Sequence, residues 1–376
     1  MRNFPTLAIA LISLGCAVAD GGQSSTGNRA KDEDLAKIEL PPGFEISYYS
    51  DDVPNARSMV LSDSGVLFVG TRNSEVYAVV DDDNDLKADR TLTIASGLRS
   101  PNGVALRDGS LYVAEISRIL RYDDIENHLE DPPEPVVVKD DLPTEGHHGW
   151  KYIAFGPDGK LYIPIGAPCN ICDPDEPFAA IWRMNPDASG FEEYAAGVRN
   201  SVGFDWHPET GELWFTDNGR DMLGDNVPND ELNYAPEKGL HFGYPYFHEG
   251  TVPDPEFGDG KNASDYCGPA QKMGPHVAAL GVEFYTGDQF PSEYRNQMFI
   301  AQHGSWNRSQ KIGYRVMLVR LNGTSEVADY QEFATGWLQG QENWGRPVDL
   351  ELLSDGSLLV SDDQNGAVYR IRYTGG

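Results

Sequence analysis

One pattern constrains this chain more than any other feature: a turn rich in Asp, Gly or Asn, followed at once by a short β-rich apolar run, occurs six times. The copies fall at residues 62–69, 107–113, 156–163, 210–215, 295–300 and 354–360, and second runs follow at 75–80, 119–122, 181–184, 316–321 and 367–373. Leu67 and its equivalents Leu111, Leu161, Leu213, Met298 and Leu358 are separated by 44, 50, 52, 85 and 60 residues. A four-stranded propeller blade occupies roughly 40 to 50 residues, so six blades fit and seven do not. The Asp-Gly turns supply the positive φ that a tight hairpin needs. The expectation is an all-β fold, a six-bladed β-propeller of four-stranded antiparallel blades over residues 38–376. Its long inter-strand loops would gather at one mouth of a central channel. The widest gap, from Asp217 to about Gly281, reads as loops over that mouth. Composition agrees: 40 Gly and 25 Pro suit many turns, and 40% hydrophobic residues suffice for a core.

Charge removes several partner classes. With 29 Lys+Arg against 59 Asp+Glu, the net charge is -30, and no Lys/Arg cluster interrupts it. Nucleic acid phosphates and anionic lipid headgroups would be repelled. Residues 1–19 read as an export signal, with one cation at Arg2, an apolar run and then small residues. Two processing routes fit: a lipobox-like Ser13-Leu14-Gly15-Cys16, which would lipidate Cys16, and ordinary cleavage after Ala17-Val18-Ala19. Residues 20–37 read as a polar tether, and the destination is the periplasm or the exterior, free or membrane-anchored. In that oxidising setting, Cys169, Cys172 and Cys267 suggest a disulfide, most simply between the close pair.

The signatures G-x-S-x-G, H-E-x-x-H, the P-loop and G-x-G-x-x-G are all absent from the sequence. What remains is polar residues placed just before or after the repeat strands: Gly146-His147-His148-Gly149-Trp150-Lys151, Gly197-Val198-Arg199-Asn200-Ser201, Thr216-Asp217-Asn218-Gly219-Arg220, His303-Gly304-Ser305-Trp306-Asn307-Arg308 and Gly345-Arg346-Pro347. A separate run, residues 81–89, carries acidic groups at alternate positions like a calcium loop, but Leu86 stands where the sharp turn wants Gly. It reads as a structural calcium site or as a solvated loop.

Taken in order on successive blades, these motifs resemble the soluble quinoprotein sugar dehydrogenases, the glucose/sorbosone dehydrogenase family that uses pyrroloquinoline quinone (PQQ), and most of all its sorbosone dehydrogenase-like branch. The resemblance implies PQQ lying flat over the channel mouth with a Ca²⁺ ion. It implies His148, eight residues before Gly156, as catalytic base, and Arg199-Asn200 as contacts of the reactive quinone carbonyl. Asn218 would lie beside the cofactor, and the carbonyls of Gly219 and Arg220 would hold the calcium. Arg346 would bind the cofactor's carboxylates. The Lys that the glucose enzymes carry on the fifth blade has no clear counterpart, and Arg308 is the substitute expected here. The glucose enzymes place an acidic residue before the base, whereas His147 stands there, so aldoses, pyranoses and sorbosone-like aldehydes all remain candidate substrates.

The chemistry is consistent with these roles. Removing hydride from a hydroxyl-bearing carbon requires loss of the hydroxyl proton, for which a neutral imidazole is a natural acceptor. Arg199 and Asn200 would stabilise charge growing on an oxygen, and a hard cation prefers oxygen ligands such as backbone carbonyls. With no cytochrome segment in this sequence, a separate electron acceptor such as a cytochrome or quinone is expected. Two other readings compete: a calcium-dependent lactonase on the same fold, and a propeller that binds a partner without catalysis.

Overall fold

The structure is a computed structural model that describes Met1 and residues 33–375. The export signal, the lipidation of Cys16 and most of the expected tether lie outside the described residues. Among the described residues no helix is long and apolar enough to cross a membrane.

Residues 37–376 form one compact unit, built from six antiparallel sheets in chain order. Blade 1 comprises Ala56–Leu61, Leu67–Thr71, Val76–Val80 and Arg90–Ala95. Blade 2 comprises Gly103–Arg107, Ser110–Ala114, Ile119–Tyr122 and Val136–Lys139, and blade 3 Ala154–Phe155, Leu161–Ile165, Ala180–Met184 and Glu192–Ala196. Blade 4 comprises Phe204–Trp206, Leu213–Asp217, Asn229–Ala235 and Gln271–Pro275; blade 5 Ala279–Phe284, Met298–Gln302, Arg315–Asn322 and Glu326–Ala334. Blade 6 takes Pro347–Leu352, Leu358–Asp362 and Ala367–Tyr373 from the end of the chain. Its outermost strand, Phe44–Ser50, comes from the beginning, pairing Phe44 with Tyr373 and so closing the ring.

The six apolar runs of the repeat are the second strands of the six blades. Five residues long in each blade, they are buried almost throughout. Each has a neighbouring blade on either face, which is why they read as continuous apolar segments rather than alternating ones. Apolar clusters fill the spaces between blades, such as Phe68 with Val113 between blades 1 and 2, and Trp214 with Ile300 between blades 4 and 5. The turn before each second strand has a residue at positive φ: Gly65, Gly109, Gly159, Gly211, Asn296 and Gly356. Blade 5 uses Asn, the other residue that tolerates this conformation, which keeps its copy recognisable without a glycine.

The long excursion differs from expectation. It carries the third and fourth strands of blade 4 and a short hairpin, Phe247–His248 with Val252–Pro253. Its Leu240–His241 segment adds a fifth, parallel strand to the outer edge of blade 3. In sequence the excursion reads as loops because Asn229–Ala235 and Gln271–Pro275 lack the turn-and-run signature of the repeat.

First strands of adjacent blades face one another around the axis. From them Asp205, Glu283, Asp349 and Glu351 point into the interior, where loss of water raises the pKa of each, Asp349 to about 7. Three of the four link neighbouring blades: Asp205 accepts the amide of Phe284, Asp349 that of Met59 and Glu351 that of Leu61.

Candidate active site

The chain leaves every second strand and enters every first strand at the same end of the propeller, and polar residues at those two kinds of position meet there. They line a cavity of about 650 Å³. Arg72, Asn218 with Gly219, and His303 with Gly304 follow second strands. His147, His148 and Trp150, Arg199 with Asn200, Ala278, and Arg346 precede first strands.

His148 sits at positive φ (49°), and its Nδ1 lies 2.8 Å from the carbonyl oxygen of Ala167. A carbonyl only accepts, so Nδ1 carries the proton and Nε2 is left with a lone pair. Gly166 makes the arrangement sterically feasible, because a Cβ there would come within 2.6 Å of the His148 Cβ. Burial, followed by the charge of Arg199 and the neighbouring His147, lowers the His148 pKa to about 2. The ring is therefore neutral at ordinary pH. His147 also lines the cavity but is more exposed, its ring 4.1 Å from that of His148.

Arg199 is buried and held by three hydrogen bonds. Its Nη1 donates to the carbonyl of Asn218, Nε to the carbonyl of Asn170 and Nη2 to Asn170 Oδ1, each at 2.9 Å. Asp221 lies 3.5 Å from Nη2. The backbone amides of Arg199 and Asn200 both donate to Asp217, whose pKa burial raises to about 7 against the effect of those bonds. Asn170 also accepts the amide of Asp221, and it stands in the loop closed by the Cys169–Cys172 disulfide. Cys267 is free. The close pair of the CNIC run thus forms the disulfide, and Asn170, one of the two residues between its cysteines, braces Arg199.

Asn218 donates through its side chain to the carbonyls of Asn200 and Ala279, which fixes the turn into Gly219. The Gly219 amide donates to Asp230, a buried cavity-lining carboxylate that burial raises to about 7. Among the described residues no backbone amide donates to the carbonyl of Gly219 or of Arg220. Unused carbonyls beside a carboxylate make a suitable donor set for Ca²⁺. Only Gly219 of the two lines the cavity. The Arg220 side chain turns away into a buried ion pair with Asp254, which also accepts from His248 at 2.9 Å.

Across the cavity, Asp363 gathers three partners: Arg57 at 2.8 Å, Arg346 at 2.9 Å and His303 at 3.1 Å. These hydrogen bonds and cations hold its pKa far below the usual carboxylate range, although burial alone would raise it. Arg346 lines the cavity as expected. Arg308 does not: it donates to the carbonyls of Asp225 and Gln310, on a loop whose Ser309 also bonds Asp225. The turn after Trp306 directs it to the neighbouring excursion rather than inward, so the sequence expectation for Arg308 is not met. Among the described residues, no Lys lines the cavity.

Sequence reasoning missed Arg57, Arg72, Asp230, His276 and Asp363. Arg72 and Asp363 stand immediately after second strands, as His303 does, so that position, read in every repeat, would have found them. The carboxylates of Asp81, Asp83 and Asp89 do cluster, with ligand atoms within 4.8 Å of one another, at the turn between the third and fourth strands of blade 1.

The six sheets close into a propeller with a polar cavity at one mouth, lined among others by Arg57, Arg72, Arg199 and Arg346. Residues 105–370 match the model of the Glucose / Sorbosone dehydrogenase family, and the chain belongs to that family. It is 32% identical over 358 residues to an uncharacterised protein of Borreliella burgdorferi, covering 92% of this chain and 93% of that one. Among solved structures, the fold resembles a calcium structure of a Trichoderma reesei carbohydrate-active enzyme of family AA12 (TM-score 0.78, 18% identity, 89% of this chain and 97% of that one). It also resembles the holo PQQ domain of pyranose dehydrogenase from Coprinopsis cinerea (TM-score 0.74, 18% identity, with the same coverages).

Proposed function

We propose that this protein is an exported, PQQ- and Ca²⁺-dependent dehydrogenase that oxidises a sugar or sugar aldehyde. The observation that carries the proposal is the state of His148: Nδ1 is committed to the Ala167 carbonyl, and the ring is neutral beside a cavity rich in arginine. That arrangement leaves Nε2 to accept the proton of a substrate hydroxyl. Burial and, next, the charge of Arg199 weaken it as a base; an anionic ligand would offset the part due to Arg199.

PQQ, when bound, supplies the acceptor for the hydride that leaves the substrate carbon. Asn200 and Arg199 would hold donors at the reacting side of the cavity, and Arg346 would hold a carboxylate. The free carbonyl of Gly219, with Asp230 next to it, would hold calcium. Electrons would pass on to a separate carrier, and the mature N-terminus, whether lipidated at Cys16 or cut after Ala19, can be read by mass spectrometry.

Purified protein incubated with PQQ and Ca²⁺ should reduce a dye in the presence of at least one aldose, pyranose or sorbosone-like aldehyde. Absence of PQQ binding at micromolar concentration, or lactone hydrolysis without quinone, would overturn the proposal.

A further inference from the structure

The cations around the cavity divide into those already matched and one that is not. Arg57, His303 and Arg346 share Asp363. Arg199 is held by Asn170, Asn218 and Asp221. Arg72 also lines the cavity, yet its guanidinium makes no hydrogen bond or ion pair with a described residue; its recorded contact is the Trp150 ring, 3.9 Å from the ring centroid. Stacking on an indole fixes the plane of a guanidinium while leaving its in-plane donors free.

The electrostatics are unusual for an exposed arginine in so acidic a chain. Partial burial, followed by the charge of Arg57 and, more weakly, Arg346, lowers the Arg72 pKa to about 10. The cation thus sits among like charges, and the one nearby anion, Asp363, already has three partners. Arg346 lines the same cavity, its half-exposed side chain giving Nη2 to Asp363. Blades 6 and 1 therefore present two planar cations to one cavity, of which Arg72 has no hydrogen-bond partner among the described residues. A neutral sugar has no need of that arrangement, whereas a carboxylate takes bidentate donors from guanidinium groups.

We propose that Arg72 and Arg346 together form a carboxylate-binding subsite on the blade 6 and blade 1 side of the cavity, with Arg72 supplying the cation expected from Arg308. The identity of the carboxylate rests on the proposed function: it is one of those of PQQ. The source could instead be an acidic sugar, and the experiment separates the two.

Quinone-free full-length protein is titrated with PQQ and followed by tryptophan quenching, with no substrate present. Arg72→Gln, which keeps a planar group over Trp150 but removes the charge, should weaken PQQ binding by about tenfold to a hundredfold, the loss of a charge-assisted hydrogen bond. Arg308→Ala should bind like wild type. The trimethyl ester of PQQ should bind wild type and Arg72→Gln alike. If Arg72→Gln melts early, Arg72→Lys provides a second readout, since retained charge should restore part of the affinity. Unchanged PQQ affinity in folded Arg72→Gln overturns the subsite, including the case in which that variant loses only a sugar acid such as glucuronate. Failure of wild type to bind PQQ overturns the proposed function and the subsite with it.

Discussion

The two walls of the cavity are built on opposite principles. On the blade 3 and blade 4 side, the donors of the Arg199 guanidinium are directed to Asn170 and Asn218. Asn218 is tied to two carbonyls, and Asp217 takes two backbone amides. On the blade 6 and blade 1 side, Asp363 anchors Arg57 and Arg346, but Arg72, lying over the Trp150 ring, has no hydrogen-bond or ion-pair partner among the described residues. On the proposed function, the first wall, held in place by its own hydrogen bonds, would position reacting groups, and the second, with the donors of Arg72 free, would capture an anion. A pre-formed wall has little reorganisation to undergo during the reaction, whereas the incomplete one gains from binding the groups it lacks.

Several substitutions would break or sharpen this contrast. The largest expected effect is on the first wall. His148→Ala should lower sugar-dependent turnover by about 10² to 10⁴-fold while PQQ affinity in a titration stays nearly unchanged; if His147→Ala does this instead, the base is misassigned. Next, on the second wall, Asp363→Ala strands the buried charge of Arg57 and should cost about 3–5 kcal/mol in denaturant unfolding, with Asp363→Asn milder. Asn170→Ala removes the brace of Arg199 rather than Arg199 itself. It should cost about 1–3 kcal/mol of stability and lower kcat more than it raises KM; a change in KM alone would place Asn170 outside the positioning network.

A smaller effect should come from pH. The axial carboxylate Asp349 has its folded pKa raised to about 7 by burial, and Asp205, Glu283 and Glu351 are raised as well. In that range the folded state binds more protons than the unfolded one, so their contribution is full below the unfolded value near 4 and is lost as pH rises through the folded values. His148, lowered in the folded state, acts the opposite way and only below its unfolded pKa, about 6.5. Between about pH 6.5 and 8 the histidine drops out and the buried carboxylates outnumber Lys151, whose pKa burial lowers to about 7 and which acts the opposite way, so the melting temperature should fall; a rise would contradict their burial as acids. Asp349→Asn should flatten that slope. The smallest effect expected is that of Arg308→Ala, which should leave PQQ affinity and turnover as they are.

Legibility of the sequence followed the physics of each part. The second strands were readable because burial between two blades leaves continuous apolar runs, and their turns because positive φ selects Gly or Asn. Blade 4 was half missed, since Asn229–Ala235 and Gln271–Pro275 are separated by 35 residues of insertion and carry no such turn. In the site, place next to repeat strands marks the motifs and the family resemblance singles out His148, Arg199, Asn200, Asn218, Gly219 and Arg346 within them, all six of which line one cavity. Arg308 was misplaced because the direction of a side chain in a loop depends on what the loop packs against, here Asp225.

The sequence by itself determined the number of blades, the end of the propeller where polar residues collect and the sign of the surface charge, because each follows from local turn chemistry or composition. Tertiary structure decided which charges meet. Asp363 and Arg57 are 306 positions apart, and whether an arginine is matched or left free depends on neighbours from distant blades. That distinction, between Arg199 held by Asn170 and Asn218 and Arg72 stacked on Trp150 with no ion pair among the described residues, exists only once the ring is closed.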